Sequence, residues 1–124
     1  MSPKILVADD EPNIVISLEY LLKREGYNVV IARDGQEAVD AIIREQPDLV
    51  LLDVMMPKKT GFEVCQEVRG HESLHATKIL MLTAKGRDTD VAKGLALGAD
   101  AYMTKPFATR ELVQKVAEML GTAA

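Results

Sequence analysis

Residues 49–61 read Leu49-Val50-Leu51-Leu52-Asp53-Val54-Met55-Met56-Pro57-Lys58-Lys59-Thr60-Gly61. Four aliphatic residues without a polar break describe a strand whose two faces are both covered. A carboxylate closes the run, and an open loop beginning Val54-Met55-Met56-Pro57 follows it. An acid at the carboxyl end of a two-sided strand sits where open α/β sheets bind their ligands.

Working outward, Ile5–Ala8, Val29–Ala32 and Ile79–Leu82 have the same continuous apolar character, and Ala101-Tyr102-Met103 is a weaker fifth run. Between them lie stretches of helical period. Ile14, Leu18, Leu21 and Leu22 share one face, as do Ala38, Ala41 and Ile42, then Val64 and Val68. Val91, Leu95 and Ala96 follow, and Leu112, Val113, Val116 and Leu120 close the series. Pro12 suits a first helical turn. Gly26 and Gly98 suit helix C-caps, and Thr109 an N-cap or first turn. Gly61 is expected to serve a positive φ. The sum is five strands alternating with five helices: an α/β fold with a doubly wound parallel sheet, right-handed crossovers and one domain over residues 1–124.

Composition narrows the function. The formal net charge of −4, with no basic run, argues against direct nucleic-acid binding. A single cysteine, Cys65, makes no internal disulfide, which fits a reducing compartment. No apolar stretch is long enough to span a bilayer, and MSPKILVADD is no signal peptide. A cytoplasmic protein without membrane contact is expected.

The polar residues that end the apolar runs carry the chemistry. The first run stops at Asp9-Asp10, the third at Asp53 and the fourth at Thr83, while the fifth continues into Thr104-Lys105. Brought together, three carboxylates repel by roughly 4 kcal/mol per pair at 4 Å. A cation relieves that repulsion, and Mg²⁺ suits an all-oxygen site that leaves room for phosphate. With no thiolate or imidazole nearby, zinc and copper are disfavoured. One carboxylate can then attack phosphorus and become an acyl phosphate. Asp53 stands alone at its strand end and is the best nucleophile, and Asp9 with Asp10 forms the metal-holding pair. Lys105 can neutralise phosphoryl oxygens and Thr83 can hydrogen-bond one. The bland alternative for Asp10, capping the first helix, leaves the acidity of Asp9 unexplained.

The stretches ILVADDEP, LVLLDVMMPKKTGFEV, ILMLTA and GADAYMTKPF occur in that order, and with them the chain resembles the receiver domains of two-component response regulators over essentially its whole length. The resemblance implies a flavodoxin-like strand order 2-1-3-4-5. It makes Asp53 the phosphoacceptor, and Asp9, Asp10, Asp53 and the backbone carbonyl of Met55 the ligands of Mg²⁺, with Mn²⁺ as a substitute. Thr83 and Tyr102 become the switch pair and Lys105 the lysine that meets the phosphoryl group. Pro106 is expected to follow a cis peptide bond. Met55 and Lys85 hold the positions that tune attacking water.

A sensor histidine kinase or histidine phosphotransfer protein is the implied donor, and Ile14, Ile16, Leu18 and Phe107 to Thr109 are candidate docking residues. The readout is an unidentified downstream protein on the face of the fourth helix, fifth strand and fifth helix, where Arg87, Lys93, Asp100, Arg110 and Glu111 are candidate charged contacts. Such a domain is no enzyme beyond its own phosphorylation and dephosphorylation. It is expected to be a monomer or a weak phosphorylation-dependent dimer. One departure bears on that dimer: Ala101 stands where many DNA-binding members have a second aspartate.

Three other readings compete. A phosphate-ester hydrolase would need a substrate cap that these short loops do not supply. A flavin or nucleotide module would need a Gly- or Ser/Thr-rich first turn, and Asp9-Asp10-Glu11-Pro12 repels phosphate. A phosphorylation-independent interaction module keeps the fold but leaves the complete acceptor set unexplained. The methionines read as core or loop packing, Cys65 as a passive helix residue, and His71 and His75 as solvated.

Overall fold

Alternation along the central strands sorts their side chains onto two opposite cores. In the computed structural model, which describes residues 2–84 and 88–121, the strands are β1 (Lys4–Ala8), β2 (Asn28–Ala32), β3 (Leu49–Asp53), β4 (Lys78–Ala84) and β5 (Ala101–Lys105). The helices are α1 (Pro12–Arg24), α2 (Gly35–Glu45), α3 (Gly61–Arg69), α4 (Asp88–Ala96) and α5 (Thr109–Leu120), with a 3₁₀ turn at Glu72–Leu74. On β3, Leu49 and Leu51 enter a core with Leu18, Leu21 and Leu22 of α1 and Leu112 and Val116 of α5. Val50 and Leu52 enter the other, with Ala38, Val39 and Ile42 of α2 and Val64, Cys65 and Val68 of α3. Every residue of β3 is buried, the two-sided burial that its unbroken apolar run implies.

All strands pair in parallel, in the order β2-β1-β3-β4-β5, the expected doubly wound arrangement. Parallel register lines up the carboxyl ends: Asp53 pairs with Leu82, and Thr83 with Thr104, while Asp9 follows Ala8, which pairs with Leu52. The sheet thereby carries its strand-ending polar residues to one edge. β5, which gives a weak sequence signal, is an edge strand half-buried along most of its length, with the Tyr102 side chain exposed.

Several local readings need correction. Gly61 does not adopt a positive φ. It opens α3, and a Cβ there would overlap the carbonyl oxygen of Asp53, so close approach is what requires glycine. The left-handed residue in this loop is Lys58, at φ 71. The inward residue of α4 is Gly94 rather than the Val91–Leu95–Ala96 stripe; Leu95 is exposed, and a Cβ on Gly94 would stand 3.4 Å from Met81. Helix α4 thus lies close on the sheet through a glycine, an approach that an apolar-periodicity argument does not register. Gly26 and Gly98 end α1 and α4 with φ 93 and 109, and the N–H groups after them close back onto the last turn, Tyr27 to Leu22 and Ala99 to Gly94. Thr109 is a first-turn residue behind an uncapped Ala108. Unanticipated at the other end of the third crossover, Thr60 and Glu63 form a reciprocal capping box at the start of α3. Lys85 and Arg87 lie outside the described residues.

Candidate functional site

Asp9 continues β1 at full burial, its N–H donating to the Ala32 carbonyl at 3.1 Å. Its Oδ1 accepts the Glu11 N–H at 2.9 Å, so this carboxylate braces the entry to α1. Asp10 does not cap that helix: the N-cap is Glu11, without a side-chain cap, and Pro12 follows in the first turn. Asp53 ends β3 and is buried, whereas Asp10 is exposed. Carboxylate oxygens of Asp9, Asp10 and Asp53 all lie within 4.8 Å of one another.

Lys105 reaches into this group from the end of β5. Its Nζ donates to Asp9 Oδ2 at 2.8 Å and stands 3.3 Å from Asp53 Oδ1 and 3.4 Å from Glu11 Oε1. The Lys105–Pro106 peptide bond is cis. Sequence reading assigns Glu11 no role; its place beside the Lys105 ammonium could only have been suspected from a third consecutive acid. Burial alone would depress the Lys105 pKa, but the Asp9 hydrogen bond and the charges of Asp53 and Asp9 outweigh burial and hold it above the ordinary lysine value. At Asp53 burial acts first and the Asp9 charge second, pushing its pKa up to about 6 against the pull of Lys105 and of the Met55 N–H. Three carboxylates facing one ammonium leave an excess of negative charge in a partly desolvated crevice. All donors are oxygens, as Mg²⁺ requires.

Thr83 ends the fourth apolar run and is buried, and its Oγ1 has no hydrogen-bond partner among the described residues. A buried hydroxyl left without a partner carries a desolvation cost that the described residues do not offset. Thr83→Val removes the orphan at little change in shape. We expect its denaturation midpoint to match or exceed the wild type, by up to about 1 kcal/mol in chemical unfolding. A loss larger than that would mean that the hydroxyl is bonded in solution. Tyr102, its expected switch partner, lies on β5 beside Met81 and is about half exposed.

Met55 is exposed on the loop after Asp53. Asp100 is exposed ahead of β5 and is already paired. Its Oδ2 accepts from Arg69 Nη2 and from the Ile79 N–H, each at 2.8 Å. Arg69 also donates to the carbonyls of Gly98, Leu74 and Thr77, tying the end of α3 to the start of β4. Beside it an open cavity of ≈ 630 Å³ is lined by Leu95, Tyr102, Phe107, Glu111 and Lys115, between α4, β5 and α5. Cys65 is buried, and desolvation pushes its thiol pKa up, consistent with a passive role. His71 and His75 are exposed around the 3₁₀ turn.

In sequence and fold the chain is similar to known proteins. The family model of the response regulator receiver domain matches residues 5–117. A solved structure of a candidate response regulator from Chloroflexus aurantiacus is 36% identical with a TM-score of 0.93, covering 98% of this chain and 99% of that one. The chemotaxis response regulator CheY4 of Vibrio cholerae is 33% identical with a TM-score of 0.91, over 96% and 99%. The receiver domain of a sensor histidine kinase from Pseudomonas aeruginosa, solved with magnesium coordinated in its active site cleft, is 30% identical with a TM-score of 0.89, over 98% and 99%. The chain belongs to the response regulator receiver domains of two-component signalling.

Proposed function

We propose that this receiver domain takes a phosphoryl group onto Asp53 in a Mg²⁺-dependent reaction and passes the signal on by a change of conformation. The observation that carries the reading is the cluster of three carboxylates within 4.8 Å of one another, bridged from Asp9 to Asp53 by Lys105. Asp9, Asp10, Asp53 and the Met55 carbonyl would hold the ion, which when bound neutralises charge between the carboxylates and the incoming phosphoryl oxygens. Its place in the Pseudomonas aeruginosa relative supports that assignment.

The donor is a phosphohistidine of a sensor kinase or phosphotransfer protein, or a small acyl phosphate. An Asp53 carboxylate oxygen forms a bond to phosphorus as the bond from phosphorus to the donor nitrogen or oxygen breaks, and the leaving group takes the electron pair. Lys105 stays within reach of the new phosphoryl oxygens and Thr83 Oγ1 gains its missing partner. Contacts made only in the modified state bias the α4–β5–α5 face, where Tyr102 and the neighbouring cavity lie, toward a form that a downstream protein recognises. The chemistry ends with self-phosphorylation and self-dephosphorylation. We place the protein in the cytoplasm as one domain over residues 1–124, monomeric or weakly dimeric when phosphorylated, without contact to nucleic acid or membrane. No described helix is long and apolar enough to cross a membrane.

Intact-mass measurement with an acyl-phosphate donor tests the reading. The wild type with Mg²⁺ gains one phosphoryl mass; Asp53→Asn, or wild type in EDTA, gains none. Labelling that survives Asp53→Asn would move the acceptor, and no labelling of the wild type would favour a phosphorylation-independent interaction module.

A further inference from the structure

We propose that Gly35, in the first turn of α2 and outside the acid cluster, is a positioning residue: it seats the loop that carries Met55 and thereby sets the metal affinity of the crevice. The inference rests on the metal reading above and adds a residue that touches neither metal nor phosphate.

The loop from Val54 to Thr60 is fixed at both ends by the strand it leaves and the helix it enters. Val54 N–H donates to the Leu82 carbonyl at 3.3 Å, and Gly61 N–H donates back to the Val54 carbonyl at 2.8 Å. Between those ends the backbone turns sharply. Lys59 N–H donates to the Pro57 carbonyl at 2.8 Å around Lys58, whose φ of 71 is unfavourable for a residue with a Cβ. Such a turn persists only where its surroundings hold it.

Helix α2 does the holding. Gly35 N–H, one of the donors that a helix start leaves without an internal partner, donates to the same Pro57 carbonyl at 3.1 Å. Asp34 caps the helix through the Glu37 N–H at 2.8 Å and turns its other oxygen to Lys58 Nζ at 3.5 Å. At Gly35 the two backbones meet: a Cβ would overlap the Lys59 carbonyl oxygen and stand 2.5 Å from the Lys59 Cβ. Alanine is the better helix former at this position, so the glycine is explained by the approach and not by the helix. Helix α2 is anchored in the core through Ala38, Val39, Ala41 and Ile42, so a side chain at Gly35 would displace the loop. The displaced segment contains Met55, two residues beyond Asp53, whose carbonyl is the proposed metal ligand. Changes in the groups that support metal ligands typically weaken affinity by about 10- to 100-fold.

The full chain is tested as Gly35→Ala, with Gly26→Ala as the control. Gly26 has φ 93 and nothing within 4 Å among the described residues, so its substitution strains the fold without touching the loop. Calorimetric Mg²⁺ titration should show Gly35→Ala weakened by roughly tenfold and Gly26→Ala unchanged. In EDTA, amide exchange at Met55 and Gly61 should quicken in Gly35→Ala alone. Wild-type affinity and exchange in Gly35→Ala would overturn the proposal, as would equal losses in Gly26→Ala. Should Gly35→Ala not fold, Asp34→Asn keeps a helix cap and removes the charge facing Lys58; it should also quicken exchange at Met55, and an unchanged rate would overturn the proposal. A wild type that binds no Mg²⁺ would overturn the metal reading, with metal-free exchange still deciding whether Gly35 seats the loop.

Discussion

Asp53→Asn melts about 6–12 °C above the wild type in EDTA near neutral pH, and the gap closes as the solution is acidified. Burial and the Asp9 charge raise the Asp53 pKa from 3.8 to about 6 in the folded state, so the native protein binds this proton more tightly than the unfolded chain does. Ionising Asp53 therefore opposes folding. The penalty is absent below about pH 4, grows as pH rises toward 6 and is fully present above it. The shift corresponds to about 3 kcal/mol, which relaxation around a real carboxylate would reduce to about 2 kcal/mol. Asparagine keeps the shape and a hydrogen-bonding oxygen but has no charge to bury. Thermal unfolding followed by circular dichroism across pH measures the gap, and equal melting temperatures at neutral pH would show that the crevice does not strain its acids. Saturating Mg²⁺ should narrow the gap from the other side, because the ion binds the folded wild type and stabilises it by mass action.

That destabilised carboxylate was legible as a location but not as a magnitude. The runs Ile5–Ala8, Leu49–Leu52 and Ile79–Leu82 announce covered strands, and the acids and threonine that end them announce an edge. Parallel pairing in the observed order then brings Asp9 and Asp53 onto adjacent strands, a step that chain-local patterns alone do not dictate. What escaped the sequence depends on close approach. Gly61 reads as a turn glycine, and its reason, the Asp53 carbonyl against its Cα, lies on another element. Gly94 and Gly35 hide in helical patterns for the same cause. Asp100 is the surface charge that it reads as, but its pairing with Arg69, thirty-one positions away on α3, is not legible in the sequence. Edge strand β5 gave only a faint apolar signal, yet it delivers Lys105 to the site.

Lys105→Met tests the other half of the electrostatic arrangement, and its effect should be opposite in sign to that of Asp53→Asn. The Lys105 side chain is 16% exposed, and its ammonium lies 2.8 Å from a fully buried Asp9 and 3.3 Å from Asp53. Removing one member of a buried charge group typically costs about 3–5 kcal/mol. Here the residual solvent contact, and the ability of Asp53 to take up a proton instead, reduce that to about 2–3 kcal/mol. In EDTA near neutral pH the variant should melt about 8–15 °C below the wild type. Acidification should shrink the deficit, since a protonated Asp53 no longer needs a counter-charge, and Mg²⁺ should shrink it too by supplying positive charge to the same oxygens. The double variant Lys105→Met with Asp53→Asn should recover more stability than the two single changes sum to, which is the signature of direct coupling. Additive effects in that cycle, or a Lys105→Met deficit indifferent to both pH and Mg²⁺, would mean that the lysine stabilises the fold by packing its stem and not by balancing the acids.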